Sequence, residues 1–155
     1  MFDAALREHL LGGVGIIVGT VASDGIPYAS RGYGASPTGD DIVHVFLDAG
    51  HTDLIGHVRA SGRLAVTSGN VFTFQSVQLK GGVEALGPAT AGEHDTAVEL
   101  TRRLISRIAQ VENLPTTMYD RRIPPAFVTC TIRVDSIFDQ TPGPMAGLPL
   151  TDGSQ

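Results

Sequence analysis

Tryptophan is absent from this 155-residue chain, cysteine occurs once, and lysine occurs once, at Lys80, so that nearly all of its 11 basic residues are arginines. The lone Cys130 excludes an intramolecular disulfide and a cysteine-rich zinc site. Charge is scarce too: 17% of residues are charged and 42% are hydrophobic, against about 25% charged in an ordinary globular domain. A monomer of this composition has little charge to cover its surface, and the sequence predicts a buried interface between two copies. With 16 acidic residues against 11 basic ones, the net charge of -5 gives no footprint for a phosphate backbone, which argues against nucleic acid as a partner. No apolar run reaches the roughly 18 residues of a membrane span. The first residues, with Asp3 and Glu8, lack the basic-then-apolar order of a signal peptide. A cytoplasmic protein with no membrane partner is the expectation. The histidines, His9, His44, His51, His57 and His94, lack metal-ligand spacing, so no metal site is expected.

What is present is a succession of short β-branched runs punctuated by turn residues. Asp3 caps a short helix through Leu6, Leu10 and Leu11, which Gly12-Gly13 stops. Val14 to Ser23 (VGIIVGTVAS) reads as a strand. Asp24-Gly25 then signals a hairpin into a second strand from Tyr28 to Ser36. After the turn Pro37 to Asp41, Ile42 to Leu47 (IVHVFL) alternates as a third strand, with His44 on the face of Ile42 and Phe46. Leu54, Ile55 and Val58 recur at helical spacing between Thr52 and Ala60, with Thr52 or Asp53 as cap and Gly62 as stop. Strands are expected at Arg63 to Ser68 and Phe72 to Leu86, the latter bent at Gly81-Gly82. Glu93 to Val111 is the one long helix, and Phe127 to Phe138 the last strand. The fold class read from this order is mainly β, a small closed antiparallel barrel with flanking helices, in one domain over residues 1–139. The Pro- and Gly-rich residues 140–155 form a tail, expected to pack across the groove of a dimer.

Four segments carry a resemblance: Val18 to Pro27 (VGTVASDGIP), Ser30-Arg31, Arg63 to Thr67 (RLAVT) and Phe74 to Gly81 (FQSVQLKG). Their order and spacing resemble the split-barrel family of pyridoxamine phosphate oxidases and related proteins that bind flavin mononucleotide (FMN). The tail motif Phe138 to Gly147 (FDQTPGPMAG) is similar to an uncharacterised branch of that family. The resemblance implies a six-stranded antiparallel split barrel, a homodimer with FMN in the groove between subunits, and an oxidoreductase acting on a small-molecule substrate. The flavin would carry the hydride or electrons while the protein positions it.

On that resemblance Arg31 stands where the family places a phosphate-binding arginine, and a guanidinium fork suits a phosphate dianion. The family's next phosphate contacts, a serine and a lysine, fall at His51 and Asp53, and a carboxylate at Asp53 repels phosphate. His51, Thr52 and the free N–H groups opening the helix remain candidates for the anion. Gln75 and Ser76 lie on the strand that faces the flavin ring in the family, and Lys80 could supplement the clamp or neutralise an acidic substrate. Tyr33, between two glycines, either stacks on a flat cofactor or fills the core. Cys130 reads as a small buried hydrophobe. Because the serine and lysine pair is missing, the alternative is a non-enzymatic protein that keeps the barrel and binds haem, a deazaflavin or another flat ligand.

Overall fold

The computed structural model describes residues 1–150. Seven antiparallel strands form one sheet in the order β2-β1-β5-β6-β7-β4-β3. They are β1 (Gly15–Val21), β2 (Pro27–Gly32), β3 (Ala35–Pro37), β4 (Ile42–Asp48), β5 (Arg63–Gly69), β6 (Ser76–Pro88) and β7 (Phe127–Asp139). Three helices, α1 (Ala4–Leu11), α2 (Thr52–Ser61) and α3 (Ala91–Glu112), surround it. The expectation of a mainly β antiparallel split barrel with flanking helices holds. The run expected as a single strand from Tyr28 to Ser36 is divided, however, which raises the strand count to seven. At Tyr33 and Gly34 the chain leaves the β2 edge and crosses to the opposite edge of the sheet as β3. There Tyr33 N–H donates to the Phe46 carbonyl and Phe46 N–H donates to that of Gly34. Gly34, at φ 134°, lies so close to Leu100 that a Cβ would sit 2.9 Å from its methyl carbon, so the crossing itself requires glycine.

Alternation sorts the side chains onto two faces of the sheet. Ile16, Val18, Leu64, Val66, Leu79 and Ile132 point inward and are at most 3% exposed. Burying each contributes about 1.5–3 kcal/mol. Helix α2 plugs one end of this core with Leu54 and Val58. It begins at Thr52, with His51 as its cap residue, and Gly62 ends it in the left-handed conformation. The outer face of β4 and β7 is covered by α3, through Phe46, Ala97, Leu100 and Phe127. Thr90 caps α3 in a capping box with Glu93.

One other expectation shifts in detail. Phe72 to Gln75 is a turn, because the Asn70 side chain accepts hydrogen bonds from the N–H groups of Phe72 and Thr73 and holds the chain out of the ladder. The tail from Gln140 to Leu150 follows β7 back along the sheet: Gln140 N–H donates to the Ser76 carbonyl and Leu150 N–H to that of Ile137. The end of the tail, 151–155, lies outside the described residues.

Among the described residues, one half of the outer face has no cover. On β2, β1, β5 and β6 every outward residue is exposed or half-buried, including Ile17 at 53% and Val21 at 47%.

Candidate functional site

The open face takes its shape from which residues stand opposite one another. Gly19 on β1 pairs with Ala29 on β2 and Ala65 on β5, and Ala65 pairs with Lys80 on β6. Three small residues in a row leave a flat floor three strands wide, about 10 Å from β2 to β5 at ordinary strand spacing. A groove of about 470 Å³ lies over this floor, with Arg63 and Lys80 at its rim. That volume falls within the roughly 300–1,000 Å³ of small-molecule sites. A Cβ built on Gly19 meets nothing closer than 4.0 Å, so the fold tolerates a side chain there, but it would rise into the groove. Arg63 is anchored by Asp135 at 2.7 Å, and the Lys80 ammonium lies 4.7 Å from the centre of the Phe138 ring. The next row along the strands is Arg31, Ile17, Thr67 and Gln78, in which Gln78 Nε2 donates to Thr67 Oγ1 at 2.9 Å.

The residues singled out from the sequence divide between two places. Arg31, Lys80 and Ser76 share the open face. Ser76 sits at its far end, where its hydroxyl donates to the Phe74 carbonyl and its N–H donates to Thr141 of the tail. Gln75 is exposed in the adjoining turn. His51 and Thr52 stand at the start of α2, away from that face. The His51 ring is within hydrogen-bond distance of the Tyr28 hydroxyl, at 2.9 Å, and of Ser30 Oγ, at 3.1 Å. Tyr28 and Ser30 alternate with Arg31 along β2 and so project from its other side. Asp53 lies in the first turn of α2.

Two further groups are set apart from solution chemistry. Burial pushes the Cys130 thiol up to about 12, so it stays protonated and unreactive at neutral pH. Tyr33 packs against Phe127, ring centroids 5.7 Å apart, and burial raises its hydroxyl above the ordinary value.

Gly19, Ala29 and Ala65, the residues that make the floor, were not among the sequence candidates. Their signal is there: each is a small residue at an outward position between larger outward neighbours, Ile17 and Val21, Pro27 and Arg31, and Arg63 and Thr67. Only the pairing register shows that the three gaps coincide.

Comparison with solved structures bears on this geometry. HupZ of Group A Streptococcus superposes with a TM-score of 0.57 at 17% identity, over 95% of this chain and 100% of that one. A protein named F420 reductase gives 0.57 at 15% identity over 88% and 98%. A putative pyridoxamine 5'-phosphate oxidase from Lactobacillus delbrueckii gives 0.54 at 12% identity over 88% and 93%. The chain has the pyridoxamine phosphate oxidase-like split-barrel fold. No family model matches the sequence, and no curated protein matches it. Within the split barrel, no helix among the described residues is long and apolar enough to cross a membrane.

Proposed function

We propose that this split barrel is an oxidoreductase that binds FMN, or a related flavin or deazaflavin, on its open face and acts on a small-molecule substrate. The observation that carries the reading is the floor of small residues, Ala29, Gly19 and Ala65, with cations beside it, which suits a flat ring bearing an anionic tail. The names of two similarly folded proteins, F420 reductase and a putative pyridoxamine 5'-phosphate oxidase, point the same way. When bound, such a group supplies the hydride or electron transfer. The protein's part is to bind, orient and exclude water. Arg31 holds phosphate, Lys80 balances negative charge at the rim, and Gln75 and Ser76 offer polar contacts at the far end of the face. His51 and Thr52 shape the start of α2. A second copy of the chain laid on Ile17 and Val21 would remove their apolar surface from water and close the groove, which accounts for the low charge fraction.

A second reading rests on Asp53. The first turn of α2, where free N–H groups would favour an anion, carries a carboxylate instead, and the His51 ring is already occupied by Tyr28 and Ser30. This favours a non-enzymatic binding protein that holds a flat ligand such as haem by its ring alone. The absorption spectrum of the purified protein separates the two. Flavin bands, present as isolated or acquired on adding FMN and released by denaturation, support the oxidoreductase. A haem band supports the second reading. Protein that stays colourless and leaves added flavin free contradicts the first.

A further inference from the structure

Six arginines form no ion pair among the described residues, and two of them, Arg31 and Arg122, converge on one cleft. Arg31 reaches it from the end of β2. Arg122 comes from the 3-10 turn Asp120–Arg122 that follows α3. The position of Arg122 is fixed by the ring of Tyr119, 5.2 Å from its guanidinium carbon. Tyr119 is itself 5% exposed and bonded through its hydroxyl to Glu112. No carboxylate among the described residues lines this cleft. Other arginines stand differently: Arg102 and Arg103 share a cleft with Asp95 and Glu99, and Arg107 shares one with Glu8. The cleft is narrow, about 30 Å³, and also walled by Leu100, Leu104 and Ile105. It admits no ring, so a ligand could present only a small anionic group to the two arginines that line it.

We propose that Arg31 and Arg122 form a two-arginine clamp for a phosphate monoester. Two arginines lining a cleft without a carboxylate match a dianion with several acceptor oxygens, to which each guanidinium can bond twice. Arg31 is two residues along β2 from Ala29, about 7 Å at strand spacing, so a phosphate held there belongs to the same ligand as a ring lying on the Ala29, Gly19 and Ala65 floor. Arg122 thereby takes the place of the cation that Asp53 denies at α2. The identity of the ligand rests on the flavin reading above; the clamp itself rests on the two arginines.

The test compares FMN with riboflavin, which has the same ring and no phosphate, by fluorescence titration of the full chain. The wild type is expected to prefer FMN. R122Q and R31Q should each lose about tenfold or more of the FMN affinity and leave riboflavin binding unchanged. R121Q makes the same change of charge one residue away, outside the cleft, and should retain the preference. An FMN-to-riboflavin ratio in R122Q equal to that of the wild type overturns the clamp. Failure of the wild type to bind either flavin defeats the flavin reading alone, and the clamp is then judged on inorganic phosphate at constant ionic strength. Phosphate should raise the melting temperature of the wild type but not of R122Q; an equal rise in both, or none in either, overturns it.

Discussion

The Tyr28 hydroxyl lies 2.9 Å from Nε2 of His51, and Ser30 Oγ lies 3.1 Å from the other ring nitrogen, so one imidazole ties the edge strand β2 to the start of α2. The ring is half-buried and satisfied at both nitrogens. Removing it strands two hydroxyl groups where the barrel is plugged. His51→Ala should lower unfolding stability by about 1–3 kcal/mol, and Tyr28→Phe by about 1 kcal/mol. Urea midpoints check this, and a midpoint for His51→Ala equal to that of the wild type would show that the bridge contributes nothing.

His9 is 8% exposed, and its Nε2 donates to Ser68 Oγ at 2.9 Å, since the Ser68 hydroxyl is spent on the Val77 carbonyl at 3.0 Å. Burial, then the charge of Arg107, holds this histidine below its ordinary 6.5. The unfolded chain therefore binds the His9 proton more readily than the folded one. Stability from this residue is complete above about pH 6.5 and is lost as the pH falls below that value. The urea midpoint should drop between pH 7.5 and pH 5.5, on the order of two units across the histidine range, and His9→Asn should reduce that drop. An unchanged pH slope in the variant contradicts the assignment.

Glu93 loses its hold at lower pH. Its carboxylate is kept below the usual 4.5, first by the Thr90 N–H it accepts from, with help from the Thr129 hydroxyl and against a smaller opposing effect of burial. Its folded pKa being depressed, it stabilises α3 above about pH 4.5, and that contribution disappears as the pH falls through the lowered value. Glu93→Gln should flatten the acid limb of the stability curve. Thr90→Ala, which removes the other half of the capping box, should cost about 1 kcal/mol at neutral pH. Melting curves of both variants across the acid range provide the check.

Gly81 packs against the backbone of β7 where the strand register slips, and a Cβ there would collide with the Arg133 carbonyl. No side chain can swing aside to relieve backbone against backbone. Gly81→Ala should destabilise by well over about 1 kcal/mol, while Gly82→Ala, which meets nothing, should be close to neutral. Equal stability of the two variants would show that the strands part easily at this slip.

The fold was largely readable from the sequence because its signals are local. The Asp24-Gly25 turn, the alternation of Ile42 to Leu47, the Gly62 stop and the long apolar stripe of α3 each act within a few residues, and the structure contains each of these elements. The split of Tyr28 to Ser36 was not readable, because the alternation runs on through Gly34 and only contact with Leu100 and Phe46, far away in the chain, turns the backbone. The candidate site was less legible for a related reason. Arg31 and Lys80 stand out as residues, whereas the Gly19 floor exists only once β2, β1 and β5 are in register. Arg122 and Arg31 line one cleft although 91 positions separate them in the chain, so no local signal could have joined them.

The most direct measurement is a fluorescence titration of FMN against the wild type and Gly19→Leu, a substitution that has room in the fold but fills the groove. The wild type should bind FMN, and Gly19→Leu should melt at nearly the same temperature yet lose about tenfold or more of that affinity. FMN bound equally by both proteins, or by neither, would contradict a flavin seated on the open face.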